Sequence, residues 1–175
     1  MDEIDSGLST NGGIVSEYVD LPHLGDHQVV LENLYVEIPF RKTDVEVIKR
    51  TTADYVFIDI KEKNSEQVLY TYGESVGDHK EEFIFREIHT DKTILRLQAF
   101  VELDSSAGLI TKVNETNASY EPLPIKIEHE AVNSGSRSGN FPTEKVEVLA
   151  SISLGWENYE RQEIYEGFVI GAVKE

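Results

Sequence analysis

Apolar side chains fall on every second residue through most of this 175-residue chain, and that period ties the backbone to strands. Leu95, Leu97, Ala99, Val101 and Leu103 form one ladder; Val146, Val148, Ala150, Ile152 and Leu154 form another. Successive side chains of a strand point to opposite faces, so each ladder makes one face for a core and one for water. No segment carries the three-and-four spacing of a convincing amphipathic helix. One wet face per strand is the mark of antiparallel sheets.

The strands can be placed one by one. Leu34, Val36, Ile38 and Phe40 alternate with Tyr35, Glu37 and Pro39, and a short strand follows near 45–48. Val56, Ile58 and Ile60 face one way and Tyr55, Phe57, Asp59 and Lys61 the other. The turn at 63–66 leads to Val68, Tyr70 and Tyr72, which reads as a hairpin. Further strands are expected around 83–88, 93–103, 109–113, 125–132, 144–154 and 162–173. Between them, 114–121 reads as a polar loop. The Gly/Ser-rich run 133–140 reads as an exposed linker-like loop. The segment 162–173 is apolar on both faces, which places it centrally or at an interface. Eight to ten strands at this spacing predict an all-β protein: a single antiparallel β-sandwich or jelly-roll-like domain with an extended N-terminal arm. We set the arm at 1–28, flexible and acidic, and the sandwich at 29–175.

Charge narrows the partners. The chain holds 33 acidic and 16 basic residues, a formal net charge of −17. Residues 1–40 carry eight of the acids and no Lys or Arg. Nucleic-acid phosphates and anionic lipid heads are repelled by such a surface, so neither is expected as a partner. There is no cysteine, which excludes disulfides and thiolate chemistry. The start, Met1-Asp2-Glu3-Ile4-Asp5, has no positive or apolar region of a signal peptide, so none is expected. Apolar runs such as Phe168-Val169-Ile170 are far too short to span a bilayer. The compartment is left open by these features.

No catalytic kit stands out, so no enzyme is expected. There is no Gly-x-Ser-x-Gly nucleophile and no phosphate-cradling Gly-Lys-Ser/Thr loop. Glu81-Glu82 and Asp54 with Asp59 are carboxylate pairs without an acid/base setting. His23 and His27, beside Asp20 and Asp26, have metal-ligand spacing on a helix, but Pro22 and Gly25 oppose a helix there. The run 104–108 lacks the alternating acids of a calcium loop. Neither a metal nor a cofactor is therefore expected. Asn114-Glu115-Thr116 and Asn117-Ala118-Ser119 have the form of glycosylation acceptors and point to an exposed loop.

Two binding readings remain. Ile14, Val15, Tyr18, Val19 and Leu21 are apolar residues in the arm with no clean period. They suit a segment that docks on a protein partner or a second copy, or that covers its own domain. An arm, a compact β domain and no catalytic kit suit a structural or assembly protein, such as a component of a virion or other particle, that self-associates into a homo-oligomer through the arm and a sheet face. The alternative is a carbohydrate-binding module with Trp156 and Tyr159 as a ring platform for a glycan and Tyr120 as a third ring. Against that, Trp156 also suits the role of closing the end of the core.

Overall fold

A computed structural model describes residues 15–18, 28–38, 45–76 and 81–175. Twelve strands are present among them: β1 (Val15–Tyr18), β2 (Gln28–Val30), β3 (Leu34–Glu37), β4 (Val45–Thr51), β5 (Tyr55–Glu62), β6 (Val68–Ser75), β7 (Glu82–His89), β8 (Ile94–Asp104), β9 (Leu109–Glu121), β10 (Lys126–Ser136), β11 (Lys145–Gly155) and β12 (Arg161–Ala172). One 3-10 turn, Glu157–Tyr159, joins the last two. The strands form two antiparallel sheets, in the orders β1-β4-β5-β6-β7-β8-β9 and β10-β11-β12-β3-β2. The fold is an all-β antiparallel sandwich.

The alternation in the sequence is what makes the two sheets close on each other. Val56, Ile58 and Ile60 of β5, and Leu95, Leu97, Ala99 and Val101 of β8, are buried from one side. Val146, Val148, Ile152 and Leu154 of β11, with Ile164, Phe168 and Ile170 of β12, meet them from the other. Consecutive strands from β4 to β9 are sheet neighbours, so short hairpins make most connections. Asn64 turns the β5–β6 hairpin with φ of 63°, a conformation that asparagine tolerates. β3 returns to pair with β12 through Val36↔Ile170, Tyr35↔Gly171 and Leu34↔Ala172. This pairing brings the two ends of the regular chain together and places β12 third of five strands. The core side of β12 is buried, while Val169 on its other face is half-buried.

Two glycines are set by flat rings on the neighbouring strand. Gly73 of β6 pairs with Phe85, and Gly171 of β12 pairs with Tyr35. An added Cβ would stand 2.3 Å from Cζ of Phe85 in the first case and 2.1 Å from Cζ of Tyr35 in the second.

Several expectations need correction. Segment 114–121 is not a loop: β9 continues through it, in register with β8 from Gln98↔Asn117 to Ile94↔Glu121. Its polar character comes from cross-strand partners rather than from a turn. Gln98 Nε2 donates to Asn117 Oδ1 at 2.7 Å, and Thr116 Oγ1 donates to the Val132 carbonyl at 3.0 Å. Both acceptor asparagines therefore lie on a strand, and Asn117 is half-buried. The Gly/Ser-rich run is also shorter than expected as a loop, because β10 extends to Ser136 and pairs with Val146. Twelve strands replace eight to ten because short or polar strands such as β1 and β2 carry too few alternating residues to register. The continuation of β3 into Phe40 lies outside the described residues.

Candidate functional site

The arm contributes a strand. β1 pairs antiparallel with β4 through Val15↔Thr51, Ser16↔Arg50, Glu17↔Lys49 and Tyr18↔Ile48. It forms the edge of the seven-stranded sheet. Of the five arm residues singled out above, Val15 and Tyr18 lie in this strand; Ile14, Val19 and Leu21 lie outside the described residues. Nine residues separate Tyr18 from Gln28, a length that spans up to about 35 Å when extended.

The outward faces of the two sheets differ in kind. On the larger sheet, Tyr55, Phe57, Phe83, Phe85 and Phe100 form an aromatic ladder. Phe57 lies 6.2 Å from Phe85, Phe85 5.8 Å from Phe83, and Phe83 4.9 Å from Phe100, between ring centroids. Arg50 lies over Phe57 at 4.5 Å and Arg96 over Phe85 at 4.1 Å. Both guanidiniums are held by neighbouring carboxylates, Arg50 by Asp59 and Arg96 by Glu87. Thr71 Oγ1 also donates to Asp59 at 2.8 Å. The ladder is thus roofed by its own charged side chains.

The smaller sheet is open instead. Leu149 is 53% exposed and Tyr165 72% exposed on its outer face. They border a shallow groove of about 490 Å³ whose other walls include the small residues Ala131, Ser151 and Gly167. A side chain at Gly167 would strike the Val148 carbonyl at 2.4 Å, so the groove floor stays low. Beside it lies a cleft of about 360 Å³, lined by Tyr72, Arg86, Arg137, Glu147 and Phe168 among others. Arg86 is buried at 4% exposure. It donates to the Gly167 carbonyl, pairs with Glu166 at 3.5 Å and lies 4.1 Å from the Tyr70 ring centroid. Among the described residues, its Nε has no hydrogen-bond partner. Burial pushes the Tyr72 phenol beneath it up to about 12. At the rim, Lys145 Nζ donates to Glu37 at 2.6 Å, which holds the ammonium above its ordinary range.

The loop aromatics part company. Trp156 packs against the core, and its Nε1 donates to Gln162 Oε1 at 3.1 Å. Tyr159 is 100% exposed with φ of 62°. Tyr120 is buried, and its hydroxyl donates to Glu130 at 2.6 Å. Among the described residues, no ring contact joins Trp156 to Tyr159.

The carboxylate pairs resolve differently from their spacing. Asp59 is buried against Arg50, while Asp54 is exposed. Glu82 turns inward, whereas Glu81 bonds Asn114 at the surface. Asp104 accepts from Ser106 Oγ at 2.8 Å and serves its own turn. His23, His27, Asp20 and Asp26 lie outside the described residues. Among the described residues, no group of three or more His, Asp or Glu is placed to hold a metal ion, and no helix is long and apolar enough to cross a membrane.

Sequence reasoning passed over Glu74 and Arg86, and named Asp59 only as one of a carboxylate pair with Asp54. A charge at a core-facing strand position was the available signal for Glu74 and Arg86, since each sits where the alternation calls for an apolar residue. Comparison with protein-family models, curated proteins and solved structures finds no match for this chain.

Proposed function

We propose that this protein is a non-enzymatic assembly component that joins copies of itself by exchanging its N-terminal strand. The observation that carries this reading is the place of β1. It is an edge strand, contributed by the arm and attached to the domain through nine residues. A terminal strand so attached fills the same β4 edge of its own chain or of a second copy, and the backbone hydrogen bonds are the same in both. Register adds charge complementarity. Glu17 stands opposite Lys49 and Ser16 opposite Arg50, in a stretch of 40 residues that carries eight acids and no base. The open face around Leu149 and Tyr165 offers a second contact of the kind found at interface cores.

Because the chain has no cysteine, the exchange can be read by crosslinking. Glu17→Cys with Lys49→Cys places two thiols at paired positions of neighbouring strands, within disulfide reach. Oxidation is expected to yield covalent multimers on a denaturing gel. Monomers closed only within one chain would refute exchange. Light scattering on the full chain and on one lacking residues 1–28 gives the mass; loss of a defined oligomer without the arm is expected. The alternative, a glycan platform on Trp156 and Tyr159, draws support from the full exposure of Tyr159. It predicts glycan binding by a monomer, lost in Tyr159→Ala.

A further inference from the structure

Two carboxyl groups meet inside the sandwich. Glu74 of β6 is 0% exposed and Glu82 of β7 is 2% exposed. Glu74 Oε1 accepts the backbone N–H groups of Glu32 and Leu34, and its Oε2 accepts that of Asn33, each at 3.0 Å. Asn33 Nδ2 donates to Glu82 Oε1 at 3.3 Å. Both carboxyls thus bond residue 33, one through its backbone N–H and the other through its side-chain amide. Two buried carboxyls on one residue, with no cation paired to either among the described residues, cannot both ionise without strong repulsion, so the pair keeps a proton. The clasped residues, 32–34, run from the turn between β2 and β3 into the first residue of β3, in the smaller sheet. Both glutamates are in the larger sheet. The cluster therefore ties one sheet to the other at the point where the arm enters the domain.

We propose that Glu74 and Glu82 form a proton-operated latch: sharing one proton they clasp the β2–β3 turn, and losing it they release that turn from the larger sheet. Release would expose Leu31 and Leu34, both buried, and loosen β2, the edge strand that leads back to the arm. A second negative charge in the same buried site is the physical cause, since like charges this close cannot both ionise without strong repulsion. The Glu74 carboxyl is pushed up to about 8, first by burial, then by the shared bond with Glu82, with the three backbone N–H groups opposing. An acid with a raised folded pKa binds its proton more tightly folded than unfolded. Its contribution is full below pH 4.5 and is lost as pH rises towards 8.

The described neighbours of the pair are apolar or turn elsewhere. Beside Glu74 stand Val56 of β5 and Ile84 of β7, and beside Glu82 stands Val101 of β8. The turn contributes Glu32, whose side chain is exposed. The end of β12 reaches the turn through Val173 N–H donating to the Asn33 carbonyl at 2.9 Å; Lys174 beyond it packs on Gly108 and the Glu175 N–H bonds Ser105. Asp54 is exposed, and Glu81 bonds Asn114. Asp78, His79 and Lys80 lie outside the described residues. Among the described residues, none of these charged side chains is bonded to either carboxyl.

Hydrogen exchange at the amides of Glu32, Asn33 and Leu34 tests the latch in the full chain. Corrected for intrinsic rates, their protection should fall by up to about tenfold per pH unit between pH 5 and 8, and by at least about tenfold in all. The amides of Ile58 and Leu97 should change less. Glu82→Gln supplies a permanent N–H donor in place of the shared proton, so it should flatten the pH dependence with the turn still clasped. A slope no steeper than that of the core amides, or one that persists in Glu82→Gln, would overturn the proposal. Carboxyl ¹³C shifts of the unmodified protein give an independent reading. One proton retained by the pair above pH 6 is expected; two fully ionised carboxylates at pH 6 would refute the latch even if the variant does not fold.

Discussion

The close approach of Phe85 to Gly73 makes a quantitative prediction about two positions at once. An alanine Cβ at 73 would stand 2.3 Å from Cζ and 2.5 Å from Cε2 of Phe85, and 3.1 Å from Cδ1 of Phe57. Ring carbons do not tolerate the first two distances, so the ring must leave. It has nowhere equivalent to go, being 2% exposed, flanked by Phe57 and Phe83 and covered by Arg96. Overpacking of this kind costs about 1–3 kcal/mol. Lost ring contacts add about 0.5–1.5 kcal/mol, and the weakened contact with Arg96 about 0.5–1 kcal/mol. Relief of the glycine's own strand penalty returns about 0.5–1 kcal/mol. Gly73→Ala should therefore destabilise by about 3 kcal/mol, a Tm drop of about 10 °C for a chain of this length. Phe85→Ala should cost about 3 kcal/mol by itself. In that background, Gly73→Ala meets an emptied space and should be neutral or slightly stabilising. A double-mutant cycle in guanidinium chloride, followed by fluorescence of the sole tryptophan, should thus give a coupling of about 3 kcal/mol. Additive losses, or a Gly73→Ala loss below about 0.5 kcal/mol, would refute the reasoning.

Other sites offer simpler tests. Arg86→Met should lose about 3 kcal/mol by denaturant midpoint, because the Gly167 carbonyl and Glu166 lose their buried cation; Arg86→Lys should recover less than half, since an ammonium lacks the planar fork. Trp156→Ala should cost about 2 kcal/mol and Tyr159→Ala less than about 0.5 kcal/mol, as expected for one ring packed against the core and one in water. In alkaline titration followed by ultraviolet absorbance, Tyr35, Tyr72 and Tyr120 should ionise after the other tyrosines, because burial raises each; a hydrogen bond to Glu130 raises Tyr120 further. The sign follows from the raised values: these phenols support the fold fully below pH 10, and their contribution is lost as pH rises through the folded values, about 12 for Tyr72. Ionisation of all eight near pH 10 in a folded chain would contradict this.

Alternation alone identified most of the strands, the antiparallel sandwich and the inward residues of β5, β8 and β11, because a period of two maps directly onto the two faces of a sheet. The central place of β12 was legible for the same reason, from apolar residues on both of its faces. Polarity misled where partners lay across a strand pair: the Asn117 side of β9 reads as a loop until Gln98 is opposite it. The arm residues were legible as apolar and without period, but not their destination, since pairing of Val15–Tyr18 with β4 is a long-range choice. The roles of Glu74, Glu82 and Arg86 were not legible, although Glu82 stood out as one of an acidic pair and the other two broke the alternation. A glutamate or arginine has the same letter whether it is solvated or buried. Only the tertiary structure brings Glu74 to Glu82 and to the backbone of residues 32–34, and the guanidinium of Arg86 to a carbonyl on the opposite sheet. The sequence by itself determined which face of each strand turns inward, because that depends on local period. Which charges were taken inward, and what they hold, was decided by packing two sheets together, because buried polar groups must find partners from whatever chain segment lies across the core.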